Sequence, residues 1–184
     1  MNPFSSKPGF AVLGIALFVL SSSFLAPLTW AQEKHPVSYS KSTRDSKYVQ
    51  EHTIDVGDVP GHKVRIYEIR WSWTDGELAF DGVNVKESWI RAYSDYTNIS
   101  GPALNYIIYM LEDGNKVYSR NAVLTQTSDV EGGGKLGRYH SMETLYGCTG
   151  KFSRIRGQVL QSGTRVPGAS GLTLEAKGEY WFEE

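Results

Sequence analysis

The residues best suited to chemistry in this chain are Glu68 and Arg70, two positions apart in the run His62-Lys63-Val64-Arg65-Ile66-Tyr67-Glu68-Ile69-Arg70-Trp71-Ser72-Trp73. Alternation along a strand puts both side chains on one face. Val64 and Ile66 share that face, whereas Tyr67, Ile69, Trp71 and Trp73 occupy the other. A bulge near Tyr67 would gather every apolar group on one side. Without it, Glu68 and Arg70 follow Val64 and Ile66 into the interior, where a carboxylate and a cation must pair or serve a ligand. On that reading Glu68 is the candidate acid/base group and Arg70 or Arg120 the candidate anion anchor. Tyr109 and Tyr118 are the candidate hydrogen-bond donors.

Other chemistries find less support. The four histidines, His35, His52, His62 and His140, lack the close spacing of paired metal ligands, and Cys148 is alone. No metal or cofactor is expected. A Gly-x-Ser-x-Gly elbow is absent, and His140 and Ser141 alternate to opposite faces. Gly132-Gly133-Gly134-Lys135 lacks the Ser/Thr ending of a phosphate loop and reads as a turn. Lys151, Arg154 and Arg156 read as a solvated edge, and Cys148 as a small buried residue. Asn98-Ile99-Ser100 is a glycosylation acceptor only in a eukaryotic secretory pathway.

The elements that must position these groups are strands. From Lys47 onward, runs rich in Val, Ile, Tyr, Trp and Thr alternate with clusters of Gly, Asp, Asn and Pro, and no stretch sustains a helical period. The breaks predict eight strands, at about 47–56, 62–73, 86–97, 103–112, 115–126, 135–146, 153–161 and 172–182. Short connections between sequential strands predict an all-β, eight-stranded antiparallel up-and-down barrel, with a sandwich as the alternative. A two-residue turn at Asp113-Gly114 would pair Tyr109 with Tyr118 and Ile107 with Arg120. A four-residue loop at Asn98 to Gly101 would pair Ala92 with Ile107. One face then carries Ile90, Ala92, Ser94, Ile107, Tyr109, Tyr118 and Arg120, and a one-residue error in either loop exchanges faces. The run 103–112 is apolar on both faces, which suggests an outer wall covered by the terminal arm, a loop or another subunit and slightly favours a homo-oligomer.

The chain holds 19 basic and 20 acidic residues with no long charge run, so no clustered basic face suggests nucleic-acid binding. It opens with a lone Lys7, an apolar stretch from Gly9 to Leu28, and then Thr29-Trp30-Ala31 before Gln32. This is the pattern of a cleaved signal peptide over residues 1–31, implying a secreted or periplasmic protein. Residues 32–46 are polar and read as a disordered arm, leaving 47–184 as the barrel domain. Lys63 and Arg65 share a face with Tyr67 and Ile69, Trp89 alternates with Arg91, and the sequence ends on Glu183-Glu184, so a membrane-spanning barrel is not indicated.

The stretch Glu143-Thr144-Leu145-Tyr146-Gly147-Cys148-Thr149-Gly150-Lys151-Phe152-Ser153-Arg154-Ile155-Arg156-Gly157-Gln158-Val159 resembles the Gly-Gly-x-Gly-x-Phe, then Gly-x-Val, signature of allene oxide cyclase and dirigent barrels. Cys148 stands where that signature has its second glycine. The segments from Tyr93 to Thr97 and from Tyr109 to Gly114 are similar to bacterial members of the same superfamily. Gly147 and Gly150 allow a sharp reversal, Phe152 can plug one barrel end, and Gly157 lets a neighbour cross close to the backbone. The resemblance implies a calycin-like barrel whose cavity shapes a flexible hydrophobic molecule. Two expectations follow from it: a small hydrophobic ligand bound unchanged, or an isomerase or cyclase that confines a reactive substrate.

Overall fold

The computed structural model describes residues 32–166 and 171–184. The signal peptide expected over 1–31 lies outside them. The described chain is all-β: β1 (His35–Ser42), β2 (Ser46–Asp55), β3 (His62–Ser72), β4 (Ala79–Phe80), β5 (Val83–Thr97), β6 (Gly101–Leu111), β7 (Lys116–Asp129), β8 (Lys135–Cys148), β9 (Ile155–Arg165) and β10 (Thr173–Phe182). Single 3-10 turns at Thr43–Asp45 and Gly150–Phe152 join β1 to β2 and β8 to β9. The strands form one antiparallel sheet in the order β1-β10-β9-β8-β7-β6-β5-β3-β2, with the short β4 paired to β5.

β1 and β2 are neighbours in sequence but stand at opposite edges of this sheet. A flat sheet of nine strands would hold its edges roughly 38 Å apart. The chain from Ser42 to Ser46 can span roughly 14 Å at most. The sheet therefore curls until its edges meet, and one face becomes an interior. No ladder joins β1 to β2 among the described residues, so the hydrogen-bonded closure of the expected barrel is not made.

Three expectations need correction. The expected disordered arm is β1, whose residues pair in register with β10 from His35–Tyr180 to Ser42–Thr173. Its alternation was hidden because only Val37 and Tyr39 are apolar among the inward positions. The third is Lys41, buried with its ammonium 2.9 Å from Glu77 and 4.9 Å from the centre of the Trp73 ring. Neither reading of β3 holds: the bulge near Tyr67 is absent, since β3 pairs with β5 without a register shift, yet Glu68 and Arg70 face outward. Val64 and Ile66 simply face outward, with Ile66 62% exposed.

The third correction concerns the hairpins. Asn98 and Ile99 form a two-residue turn with φ of 51° and 72°, closed by reciprocal backbone bonds between Thr97 and Ser100. Ile90 therefore pairs with Ile107, two residues from the expected register, and the faces of β5 and β6 stay as expected. At the next hairpin the loop has one extra residue. Leu111 N–H donates to Asn115 O, Gly114 takes φ 84°, and Tyr109 pairs with Val117. That single residue turns Tyr118 and Arg120 outward and brings Val117, Ser119 and Asn121 inside.

The interior has a packed end and an open end. Phe80, Val85, Val117, Leu145, Phe152 and Ile155 fill the packed end, and Phe152 is 0% exposed. Phe80 lies 5.6 Å from Tyr109 and 5.5 Å from Tyr180 between ring centres, and the Tyr180 hydroxyl accepts from Asp81 N–H at 2.7 Å. A Cβ on Gly157 would lie 2.6 Å from Glu179 O and from Leu145 Cδ1, so only glycine lets β9 and β10 pack this closely.

Candidate functional site

Above the packed end, the inner face encloses a cavity of about 870 Å³ that opens at the end where Thr43–Asp45 joins the two sheet edges. Strand alternation explains its lining. On β3 the inward residues run Lys63, Arg65, Tyr67, Ile69 and Trp71, from the mouth downward. Tyr96 on β5, Thr125 on β7, Tyr139 on β8 and Leu172 complete the wall. Burial raises the hydroxyl pKa of Tyr67 and Tyr96 and pushes that of Tyr139 up to about 12, so all three present neutral phenols. Tyr96 and Thr125 hydroxyls hydrogen-bond at 3.1 Å, and the Arg65 guanidinium lies 4.9 Å from the centre of the Tyr67 ring.

Between the cavity and the packed end is a layer of buried polar groups centred on Glu143, which is 1% exposed. Tyr109 Oη donates to Glu143 Oε1 at 2.7 Å, and Gln161 Nε2 donates to Glu143 Oε2 at 2.6 Å. Gln161 Nε2 also donates to Tyr39 Oη at 2.9 Å, while its Oε1 accepts from Ser141 Oγ at 3.1 Å and Tyr139 Oη at 3.4 Å. Hydrogen bonds thus run from Glu143 through Gln161 to Tyr139, whose ring lines the cavity. No cation pairs with Glu143 among the described residues, and burial raises its pKa against the hydrogen bonds that hold it down. A void of about 20 Å³ adjoins this layer, lined by Trp71, Asn105 and Asn121. Trp71 Nε1, Asn105 Oδ1 and Asn121 Oδ1 are buried there without a hydrogen-bond partner.

The candidates named from sequence do not converge. Tyr109 is inside, bonded to Glu143. Glu68 is 4% exposed yet lies on the outer face, covered by its neighbours. Arg70 Nε donates to Glu68 Oε1 at 3.0 Å and Arg91 Nε to Glu68 Oε2 at 2.9 Å. The Arg70 guanidinium also lies 4.3 Å from the centre of the Trp89 ring. Burial raises the Glu68 pKa, but the two guanidiniums outweigh it and hold the carboxyl below its usual range. Glu68 and Arg70 therefore form a structural cluster outside the cavity. Tyr118 rests against Tyr146 on the outer face, and Arg120 lies 5.9 Å from the centre of the Tyr106 ring there.

Sequence reasoning noticed Glu143 only as the start of a motif. The missed signal was its parity: Ser141, Glu143 and Leu145 alternate on one face, and Leu145 is an obvious core residue. Cys148 is half-buried rather than fully buried, and burial pushes its thiol up to about 11. His62 is held between Asp58 and Asp95 at 2.6 and 2.7 Å. No group of three metal-ligating side chains occurs among the described residues.

The outer face carries an unusual row. Ile66, Tyr93, Leu104, Ala122, Met142 and Leu160 pair in register across β3, β5, β6, β7, β8 and β9. Leu160, at its end, is 65% exposed. Arg91 and Arg120, with Glu68 and Glu179, flank the row on one side, and Asp95 and Glu175 flank it on the other.

No family model, curated protein or solved structure matches this chain.

Proposed function

We propose that this chain is an exported, barrel-like binding protein that holds a small hydrophobic molecule in its end cavity. The observation that carries the reading is a space of about 870 Å³ inside a curled sheet whose other end is fully packed. Such a volume suits a drug-sized ligand, and aromatic walls with a few polar groups are the usual lining of a ligand site. Export rests on Lys7, the apolar stretch from Gly9 to Leu28 and the small residues before Gln32. The resemblance to allene oxide cyclase and dirigent barrels adds support through the packing roles of Gly157 and Phe152.

A specific observation favours a second reading as an isomerase or cyclase. Glu143 is a buried, uncompensated acid linked by hydrogen bonds to Tyr139 on the cavity wall. In that reading Glu143, not Glu68, is the buried acid, holding Gln161 and through it Tyr139 in place, and the neutral tyrosine hydroxyls on the wall stabilise charge as a ring closes. Isothermal titration with phenolic and fatty-acid probes, followed by recovery of the probe, separates the readings. Saturable binding with the probe unchanged supports the binding protein, and an isomerised probe supports the enzyme. A folded protein that binds no probe removes both.

The partner we propose is a second copy of the chain, seated on the outer apolar row. A two-fold axis along the row sets Arg91 of one copy against Asp95 of the other. Sedimentation of the mature protein should show an oligomer, and Leu160→Lys should give a monomer. A monomeric parent at high concentration overturns the proposal.

A further inference from the structure

The mouth of the cavity has one sign of charge. Alternation points Lys63 and Arg65 of β3, Lys135 of β8 and Arg165 of β9 toward its lining, Arg138 of β8 borders it as well, and no Asp or Glu is among the lining residues. Three of these cations have a carboxylate outside the lining. Lys63 is 3.6 Å from Asp55, Arg65 is 2.9 Å from Glu51 and Lys135 is 2.8 Å from Asp129. Arg138, which donates to Ser128 Oγ at 3.4 Å, and Arg165, whose parity points it inward, have no carboxylate partner among the described residues. Across the ladder from Arg165 stands Gly137, so β8 offers no side chain to its guanidinium at that position. Cations gathered at the rim of a low-dielectric cavity repel one another and focus a positive potential into it. An anion entering there relieves that repulsion, and a planar guanidinium receives it with two parallel hydrogen bonds.

Below the rim the wall is mostly aromatic: Tyr48, Tyr67, Tyr96, Tyr139 and Trp71, against Ile69 and Leu172. Rings held by a sheet are stiff, and they contact a flat ring better than a flexible alkyl chain, which must give up its own rotamer freedom.

We infer that the ligand of this cavity is an anionic aromatic molecule, with its carboxylate or equivalent at Arg165 and its ring among Tyr67, Tyr96 and Tyr139. The inference rests on the cavity-binding reading above and adds the class of ligand. Three probes separate its parts by calorimetry on the mature protein: cinnamate, its neutral counterpart cinnamyl alcohol, and decanoate, an anion without a ring. At low salt, cinnamate should bind about tenfold tighter than either of the others, and the margin over the alcohol should shrink as salt is raised. In Arg165→Gln, an exposed position that the fold does not need, that margin should fall to about twofold while the alcohol binds as before.

Cinnamyl alcohol binding as tightly as cinnamate to the parent overturns the anion assignment and leaves the cavity reading standing. An Arg165→Gln variant that keeps the full margin overturns the role of Arg165. Decanoate matching cinnamate overturns the aromatic assignment. Failure of all three probes on folded protein overturns this inference together with the binding reading beneath it.

Discussion

Replacing Glu143 with glutamine keeps the shape of the buried layer but removes its ability to titrate. In the parent, burial raises the Glu143 pKa from its ordinary value of 4.5. Above that value the folded protein therefore retains a proton that the unfolded chain has released. Stability from this group is fully present below the unfolded pKa and is lost as pH rises through the folded pKa. The loss is about 1.4 kcal/mol for each pH unit separating the two values. The new amide can accept from Tyr109 Oη, but its NH2 would meet Gln161 Nε2, which is a donor. Turning the Gln161 amide over would displace the bonds from Ser141 and Tyr139. One mispaired bond costs about 1 kcal/mol. Urea unfolding of both proteins from pH 4 to pH 8 isolates the effect, because all other titrating groups cancel in the difference. The variant should match the parent to within about 1 kcal/mol below pH 4.5, where the parent's protonated carboxyl meets the same donor, and should become the more stable protein as pH rises. A difference that stays constant from pH 4 to pH 8 would refute the reasoning, since Glu143 would then carry the same proton count folded and unfolded.

Glu68→Gln should keep the fold, cost about 1 kcal/mol at neutral pH and leave probe binding in the cavity unchanged. Because Arg70 and Arg91 hold this carboxyl below its usual range, the cost should shrink as pH falls below 4.5 and vanish below the lower folded pKa; a cost that does not shrink, or lost probe binding, contradicts the outer-face placement. Gly157→Ala should lower stability by about 1–3 kcal/mol in the same urea assay, because its methyl group would press on Glu179 O and Leu145, and a neutral effect would refute that close packing. The Cys148 thiol, raised to about 11 by burial, should react with a thiol reagent at pH 8 on the order of a hundredfold more slowly in native than in unfolded protein, and equal rates would contradict its shielding.

Much of the architecture was legible in the residues. Turn residues such as Asn98 and Gly114 end strands because few other side chains accept their positive φ, and aromatic and β-branched runs between them have no helical period. Gly157 was legible as a close approach for the same local reason. β1 was not, because a lysine fills its third inward position, and only the tertiary structure supplies Glu77 and the Trp73 ring that make a buried ammonium tolerable.

Which face of β3 and of β7 looks inward was decided by the tertiary structure. The expected loop after β5 was wrong by two residues and the expected hairpin after β6 by one, yet only the second error exchanged faces, because side chains alternate with a period of two. That one residue separates Tyr109, bonded to the buried acid, from Tyr118 and Arg120 on the outer wall. Glu68 and Glu143 follow the same logic. The types and spacing of their neighbours mark both as carboxylates in apolar strands. Only the curl of the sheet, forced by a short link between its two edges, puts Glu68 outside between two arginines and Glu143 inside without a cation.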